Sequence, residues 1–245
     1  MSEVTVVGSA AESAKAAAEL FIEATAGAAA ARGRALVALT GGSSAPGLYA
    51  ALREEPVRGK VPWSEVHLFT GDERRVPVDD PRSNWGLAKR ELLSHIPVTE
   101  SQLHPLRGDA LDPMLEAARM GVVLRELAGN PPRFDLVLLG LGSDGHVLSL
   151  FAGVETSALR GEQSLVRPAA APLAVEPKVD RLTFTPFLLL TARTVVLQVS
   201  GAAKAEVLAR ALKAPEDLVA CPAQWLRRAS GRVVVIADEA AAKGL

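Results

Sequence analysis

The stretch Phe134–Gly153 reads FDLVLLGLGSDGHVLSLFAG, and the rest of the chain is arranged around it. An apolar run, Leu136–Leu139, stops at Gly140. A loop of small residues follows and ends in Asp144-Gly145-His146, and the chain turns apolar again over Val147–Phe151. Short apolar runs of this kind read as strands buried on both faces, the habit of parallel sheets. A strand that ends in glycine and then presents an acid and a histidine is how open α/β proteins build sites, because ligands bind outside the carboxyl ends of the strands.

Similar runs recur on either side. Val4–Val7, Ala35–Leu39, Val66–Phe69, Thr194–Val199 and Val233–Ala237 read as strands, with Arg181–Thr185 and short pieces near Leu103 and at Leu165–Arg167 as weaker ones. Helical patterns lie between them, over 10–31 with Ser9 as a cap, from Pro46 to Arg53, from Ser83 or Asn84 to Leu93, over 112–127 and over 202–212. Phe187–Thr191 reads as a short helical turn, and a last short helix starts at Asp238. The stretch 153–180 is irregular. Strands alternating with helices predict an α/β fold, a doubly wound, mostly parallel sheet with helices on both faces, in a single domain over 1–245.

With 245 residues, 49% of them hydrophobic, the chain buries a core without staples. A net charge of -1 gives no electrostatic case for nucleic acid or an anionic membrane as partner. The single cysteine, Cys221, rules out an internal disulfide and fits a reducing compartment. The opening MSEVTVVGSA lacks a basic region followed by a long apolar run, so no secretory signal is visible. No run approaches the ~18 apolar residues of a membrane span, since Lys15, Glu19 and Glu23 break the Ala-rich segment. The expectation is a cytoplasmic protein.

Three strand-end loops carry polar chemistry. Thr40–Gly47, TGGSSAPG, joins a strand to a helix start, where glycines and free N–H groups suit an anion; a tight turn with a serine cap is the alternative. It is not a Walker loop, because Leu48 stands where lysine is required. Gly71–Arg75, GDERR, offers an arginine to clamp an anion and acids to orient it, or else a solvated loop of mutual ion pairs. Gly140–His146 holds a literal G-x-G-x-x-G, but no acidic residue ends a second strand about 20 residues later, so a dinucleotide is not read from it. His146 is instead read as a group able to take a proton near neutral pH, with Asp144 beside it; a histidine that merely hydrogen-bonds in its loop is the bland alternative. No nucleophile elbow, H-E-x-x-H or cysteine pair is present, so no metal is expected.

Together these loops resemble the 6-phosphogluconolactonase family, which belongs to a wider group with glucosamine-6-phosphate deaminase. The resemblance runs through TGGSSAPGLY at 40–49, WSEVHLFTGDERRVPVDDPRSN at 63–84 and LGLGSDGHVLSLFAG at 139–153. It resumes at RLTFT (181–185), SGAAKAEVL (200–208) and DEAAA (238–242). Val147-Leu148 replaces a small polar-small pair, and Ala152 stands where proline is usual, which bears on pocket shape. The resemblance implies that Gly41, Gly42 and Ser43 bind a sugar phosphate with Lys204 and Arg181. It implies His146 as general base with Asp144 beside it, and Asp72 and Arg74 at the sugar end; loop amides or Arg74 could serve the developing oxyanion, and the sequence does not choose between them. It further implies hydrolysis of 6-phospho-D-glucono-1,5-lactone in the oxidative pentose phosphate route, with no cofactor. The deaminases carry a carboxylate five positions after the histidine. Position 151 here is phenylalanine, which favours the lactonase. A sugar-phosphate sensor would keep the anion loop without needing His146 and Asp144.

Overall fold

A computed structural model describes residues 2–154, 156 and 165–245. Its centre is a seven-stranded sheet in which every hydrogen-bonded pair is parallel. The strands are β1 (Glu3–Val7), β2 (Ala35–Leu39), β3 (Val66–Thr70), β5 (Leu103–His104), β6 (Leu136–Gly140), β9 (Thr194–Val199) and β10 (Arg232–Asp238). They lie in the order β1-β10-β9-β6-β2-β3-β5. The inner strands are mostly apolar because both faces are covered, as β2, ALVAL, shows with all five residues buried.

Side chains alternate between two cores. On one face Val37, Leu39, Leu136, Leu138 and Ile236 meet α1 (Ala10–Arg32), α2 (Ala45–Arg53) and α3 (Asn84–Glu91). On the other, Ala38, Val137, Leu139, Leu197 and Val235 meet α4 (Pro113–Ala128), α5 (Pro186–Thr191) and α6 (Ala205–Lys213). Helix α1 is fixed at both ends. Ser9 Oγ accepts from Glu12 N at 3.2 Å, the Glu12 carboxylate accepts from Gly8 N at 2.7 Å, and Gly33 closes the far end at φ 69°. Its Phe21 is fully buried against the sheet, which contributes ~2–3 kcal/mol.

The strand order reverses between β2 and β6. From β2 the chain steps outward to β3 and β5; from β6 it steps the other way to β9 and β10. The β2–β6 pairing covers Val37↔Leu136 and Ala38↔Val137, so the last residues of the two strands part. That reversal opens a crevice at the carboxyl ends, where open α/β sheets take their ligands.

The GDER segment departs from expectation. It is not a loop: Asp72–Arg74 forms β4, which pairs antiparallel with β8 (Arg181–Phe184), itself paired with β7 (Val166–Ala169). This three-stranded sheet caps one side of the crevice. The period of two turns Glu73 inward, where it is 1% exposed, and leaves Asp72 and Arg74 on the other side. Two smaller differences concern helices. The expected helix over 202–212 opens with a 3-10 turn, Ala202–Lys204, and the last one forms at Ala241–Gly244 because β10 runs on to Asp238. A 3-10 segment, Pro222–Arg228, was not anticipated. Part of the 153–180 stretch, residues 155 and 157–164, lies outside the described residues.

Candidate active site

A cavity of about 540 Å³ lies over the carboxyl ends of β2 and β6. Of the nine residues singled out from the sequence, all but Asp144 line it: Gly41, Gly42, Ser43, Asp72, Arg74, His146, Arg181 and Lys204. Asp144 sits behind the imidazole, its Oδ1 2.6 Å from His146 Nδ1 and 3.2 Å from His146 N.

The loop after β6 builds this pair. Gly142 N donates to His146 O at 2.8 Å, Gly145 N donates to Gly142 O at 3.1 Å, and Gly145 takes φ 98°. The His146 ring lies flat against Gly142; a Cβ there would fall 2.1 Å from Nδ1, so only glycine fits. Leu148, at φ 55°, is a bulky residue in the left-handed region, a conformation held only where the surroundings impose it. From behind, Arg210 Nη2 donates to the Asp144 carbonyl at 2.6 Å, and Ala223 N donates to Gly145 O at 2.8 Å.

Burial alone would raise the Asp144 carboxyl, but its hydrogen bonds from His146 and the charge there outweigh burial and bring it down to about 2. At neutral pH Asp144 is therefore a carboxylate that can only accept. Nδ1 must carry the hydrogen toward it, so in the neutral imidazole Nε2 holds the lone pair. Phe151, 2% exposed, packs edge-on against the imidazole at 5.2 Å between ring centres.

Across the cavity, the loop after β2 is held by Tyr49, whose hydroxyl donates to Thr40 O at 2.5 Å. Gly42 takes φ 74°, and Gly41 packs on the Asn84 amide so closely that a Cβ would sit 1.9 Å from Oδ1. The serine cap is not realised: Ser44, at the N-cap of α2, makes no side-chain capping bond. Lys204 Nζ has no hydrogen-bond or ion-pair partner among the described residues. Burial lowers its pKa, while the Asp144 charge opposes that shift.

Side chains missed in the sequence hold the third wall. The Asp72 carboxylate accepts from Ser149 Oγ at 2.5 Å and from Asn84 Nδ2 at 3.1 Å, which ties β4 to the loop that carries His146. The buried Glu73 carboxylate accepts from Arg74 N, Asn84 N and Trp85 N, each at 2.7 Å, and from Ser83 Oγ at 3.0 Å. Burial raises the Glu73 pKa, and these four bonds pull against it. Neither feature is a solvated ion-pair loop. A polar residue inside an apolar run was the available signal for Ser149; nothing local marked its pairing with Asp72.

Both arginines are engaged. Arg74 Nη1 donates to Arg82 O at 2.5 Å, and its buried Nε has no partner among the described residues. Arg181, 2% exposed, is turned onto carbonyls of its own approach segment, those of Pro177 at 2.8 Å and Val179. Burial and the nearby Arg74 charge lower its pKa, against Asp72, Glu73 and Asp180. Among the described residues no three His, Cys, Asp or Glu side chains converge to hold a metal ion, and no helix is long and apolar enough to cross a membrane. Among the described residues, the cavity thus gathers an imidazole whose Nε2 has no partner, an unpaired lysine and a glycine loop.

Known proteins are similar to this chain over most of its length. The family model for glucosamine-6-phosphate isomerases/6-phosphogluconolactonase matches residues 8–235. A 6-phosphogluconolactonase of Synechocystis sp. is 36% identical over 218 residues, covering 87% of this chain and 86% of its own. One of Mycobacterium leprae is 42% identical over 191 residues, 75% of this chain and 74% of its own. The solved structure of 6-phosphogluconolactonase from Trypanosoma brucei superposes with a TM-score of 0.88 over 100% of this chain and 99% of that one, at 29% identity. On the extent of the family match and the identity of these relatives, the chain belongs to the glucosamine-6-phosphate isomerase/6-phosphogluconolactonase family.

Proposed function

We propose that this protein hydrolyses 6-phospho-D-glucono-1,5-lactone to 6-phospho-D-gluconate, the second step of the oxidative pentose phosphate route. The observation that carries the reading is the His146–Asp144 pair, whose imidazole faces the same cavity as the Gly41–Ser43 loop and Lys204. Relatives named 6-phosphogluconolactonase support it.

The phosphate is held by Gly41, Gly42, Ser43 and Lys204. Arg181 joins them once a ligand draws its guanidinium from the Pro177 and Val179 carbonyls. Binding energy from this remote group orients the reacting carbonyl. His146 Nε2 takes a proton from a water as the water oxygen bonds to C1. The carbonyl oxygen becomes an oxyanion, for which Arg74 is the cationic donor in the cavity. The intermediate collapses by breaking the bond from C1 to the ring oxygen, which receives the proton from His146. Asp144 keeps Nδ1 protonated throughout, and Asp72 accepts from sugar hydroxyls. No cofactor enters this sequence.

The direct test generates the lactone fresh and follows its loss against the uncatalysed background. A rate no faster than background would sink the reading. The rival chemistry, deamination of an amino-sugar phosphate, is disfavoured by Phe151, which fills with a ring the position where that reaction needs an acid-base group; ammonia release from glucosamine 6-phosphate would revive it.

Two variants separate binding from chemistry. Lys204→Ala raises KM by roughly 10- to 150-fold, the value of a hydrogen bond to a charged group, with kcat changed much less. An unchanged KM removes Lys204 from the phosphate site. Asp144→Asn keeps the shape but reverses the donor that meets Nδ1, so kcat falls by about 10²–10⁴-fold while KM holds. Wild-type turnover in that variant would mean that Asp144 does not set the tautomer.

A further inference from the structure

The bond between Asp144 and His146 fixes the carboxylate to the imidazole, but both belong to one short loop. The bonds from Gly142 N to His146 O and from Gly145 N to Gly142 O are internal to that loop as well. Bonds of this kind keep the pair's own geometry and still let it swing as a unit. Its distance from the rest of the cavity has to be set from outside.

From outside, Arg210 Nη2 donates to Asp144 O at 2.6 Å, and Ala223 N donates to Gly145 O at 2.8 Å. The approach is close, since a Cβ on Gly145 would fall 3.1 Å from Arg210 Nη2 and 2.9 Å from Cys221 Sγ. The two anchors are themselves joined. The buried Gln224 donates through Nε2 to Arg210 O at 3.0 Å and to Pro215 O at 3.1 Å, and its Oε1 accepts from Asp217 N at 2.5 Å. An exposed arginine ordinarily contributes little. Arg210 is exposed, yet it sets a charged donor on a backbone carbonyl at short range, a bond stronger than a neutral one. It does not line the cavity, so it acts through the loop and not on a ligand.

The same helix carries the free lysine. Lys204 is the N-cap of α6, and Arg210 follows six residues later, ~9 Å along the axis. Between and beside them Val207, Leu208 and Ala211 pack the helix into the core. One rigid element therefore holds both the group assigned to the phosphate and the clamp on the histidine loop.

We propose that Arg210 is a positioning residue: through the Asp144 carbonyl it fixes the His146–Asp144 pair relative to Lys204, so that a substrate held by its phosphate presents C1 to Nε2. This rests on the reading of His146 as general base and Lys204 as phosphate ligand. Binding energy at a remote group raises kcat only where the geometry between the two ends is fixed.

The test pairs Arg210→Met with Arg210→Lys. Methionine keeps an unbranched stem and removes the donor. Lysine restores a charged donor, and a single N–H is what this carbonyl receives. Arg210→Met lowers kcat by about 10- to 100-fold, the effect of a misplacement of about 1 Å, and holds KM within a few-fold. Arg210→Lys recovers most of that loss. The second readout needs no substrate. In protein carrying ¹⁵N-labelled histidine, the Nδ1–H signal of His146 is identified by its loss in His146→Ala. That hydrogen exchanges with water at similar rates in the wild type and Arg210→Lys, and faster in Arg210→Met.

Wild-type turnover in Arg210→Met overturns the proposal, as does a rise in KM at unchanged kcat, which would place Arg210 in phosphate binding. An equal loss in both variants also overturns it, because the donor is then not what matters. So does a His146 signal that exchanges alike in all three proteins. If the wild type turns over no lactone, the function proposed above fails, and the His146 signal still decides whether Arg210 holds the loop.

Discussion

His146→Ala lowers kcat by roughly 10²–10⁴-fold, the span expected when a general base is removed, and leaves KM within a few-fold of wild type. The asymmetry follows from the division of the cavity. The groups proposed for the phosphate, Gly41–Ser43 and Lys204, come from the ends of β2 and β9, whereas His146 comes from the end of β6. Removing the imidazole therefore leaves the anion site intact. It also frees Asp144 Oδ1 of its partner 2.6 Å away; the bond and charge that hold its pKa down go with the imidazole, but a carboxylate remains a weaker base than imidazole near neutral pH. Turnover at the wild-type rate would remove His146 from the chemistry. A large rise in KM with little change in kcat would place it in binding instead.

Glu73→Ala destabilises the fold by ~3–5 kcal/mol, the cost of leaving several buried donors without their charged partner. The substitution strands three backbone N–H groups and the Ser83 hydroxyl, all now bonded to one carboxylate. In a chain of this size the midpoint of thermal unfolding should drop by roughly 6–20 °C. Glu73→Gln is the informative companion. It keeps one oxygen acceptor but puts an NH₂ against backbone donors, so it should recover only part of the loss. A Glu73→Ala protein that melts with the wild type would show that the cluster is not structurally coupled to the fold.

The parallel sheet was legible because its inner strands are short apolar runs that stop at glycine or at a polar loop, and β2, β6, β9 and β10 formed where those runs lie. The DGH loop was legible for the same reason: Gly142 and Gly145 are required by the close approach of the His146 ring and by a positive φ. β4 was not legible. Its three residues are all charged, and the burial of Glu73 depends on α3, whose N-terminal amides meet it from ten and more residues away. The role of Ser149 was not legible either, because its partner, Asp72, is 77 residues distant. A hydrogen bond across that separation leaves no local periodicity to read.

The bond from Ser149 to Asp72 has a consequence for how the molecule opens. It joins a loop of the parallel sheet to a strand of the antiparallel one, and Ser149 N also donates to Thr183 Oγ1 in β8 at 3.1 Å. The histidine loop and the small sheet are thus fastened to each other as well as to the core. Proteins fluctuate in cooperative blocks, and segments tied in this way open together. Amide hydrogens of the His146 loop and of β4 and β8 should therefore exchange with one common free energy, and Ser149→Ala should split them into two.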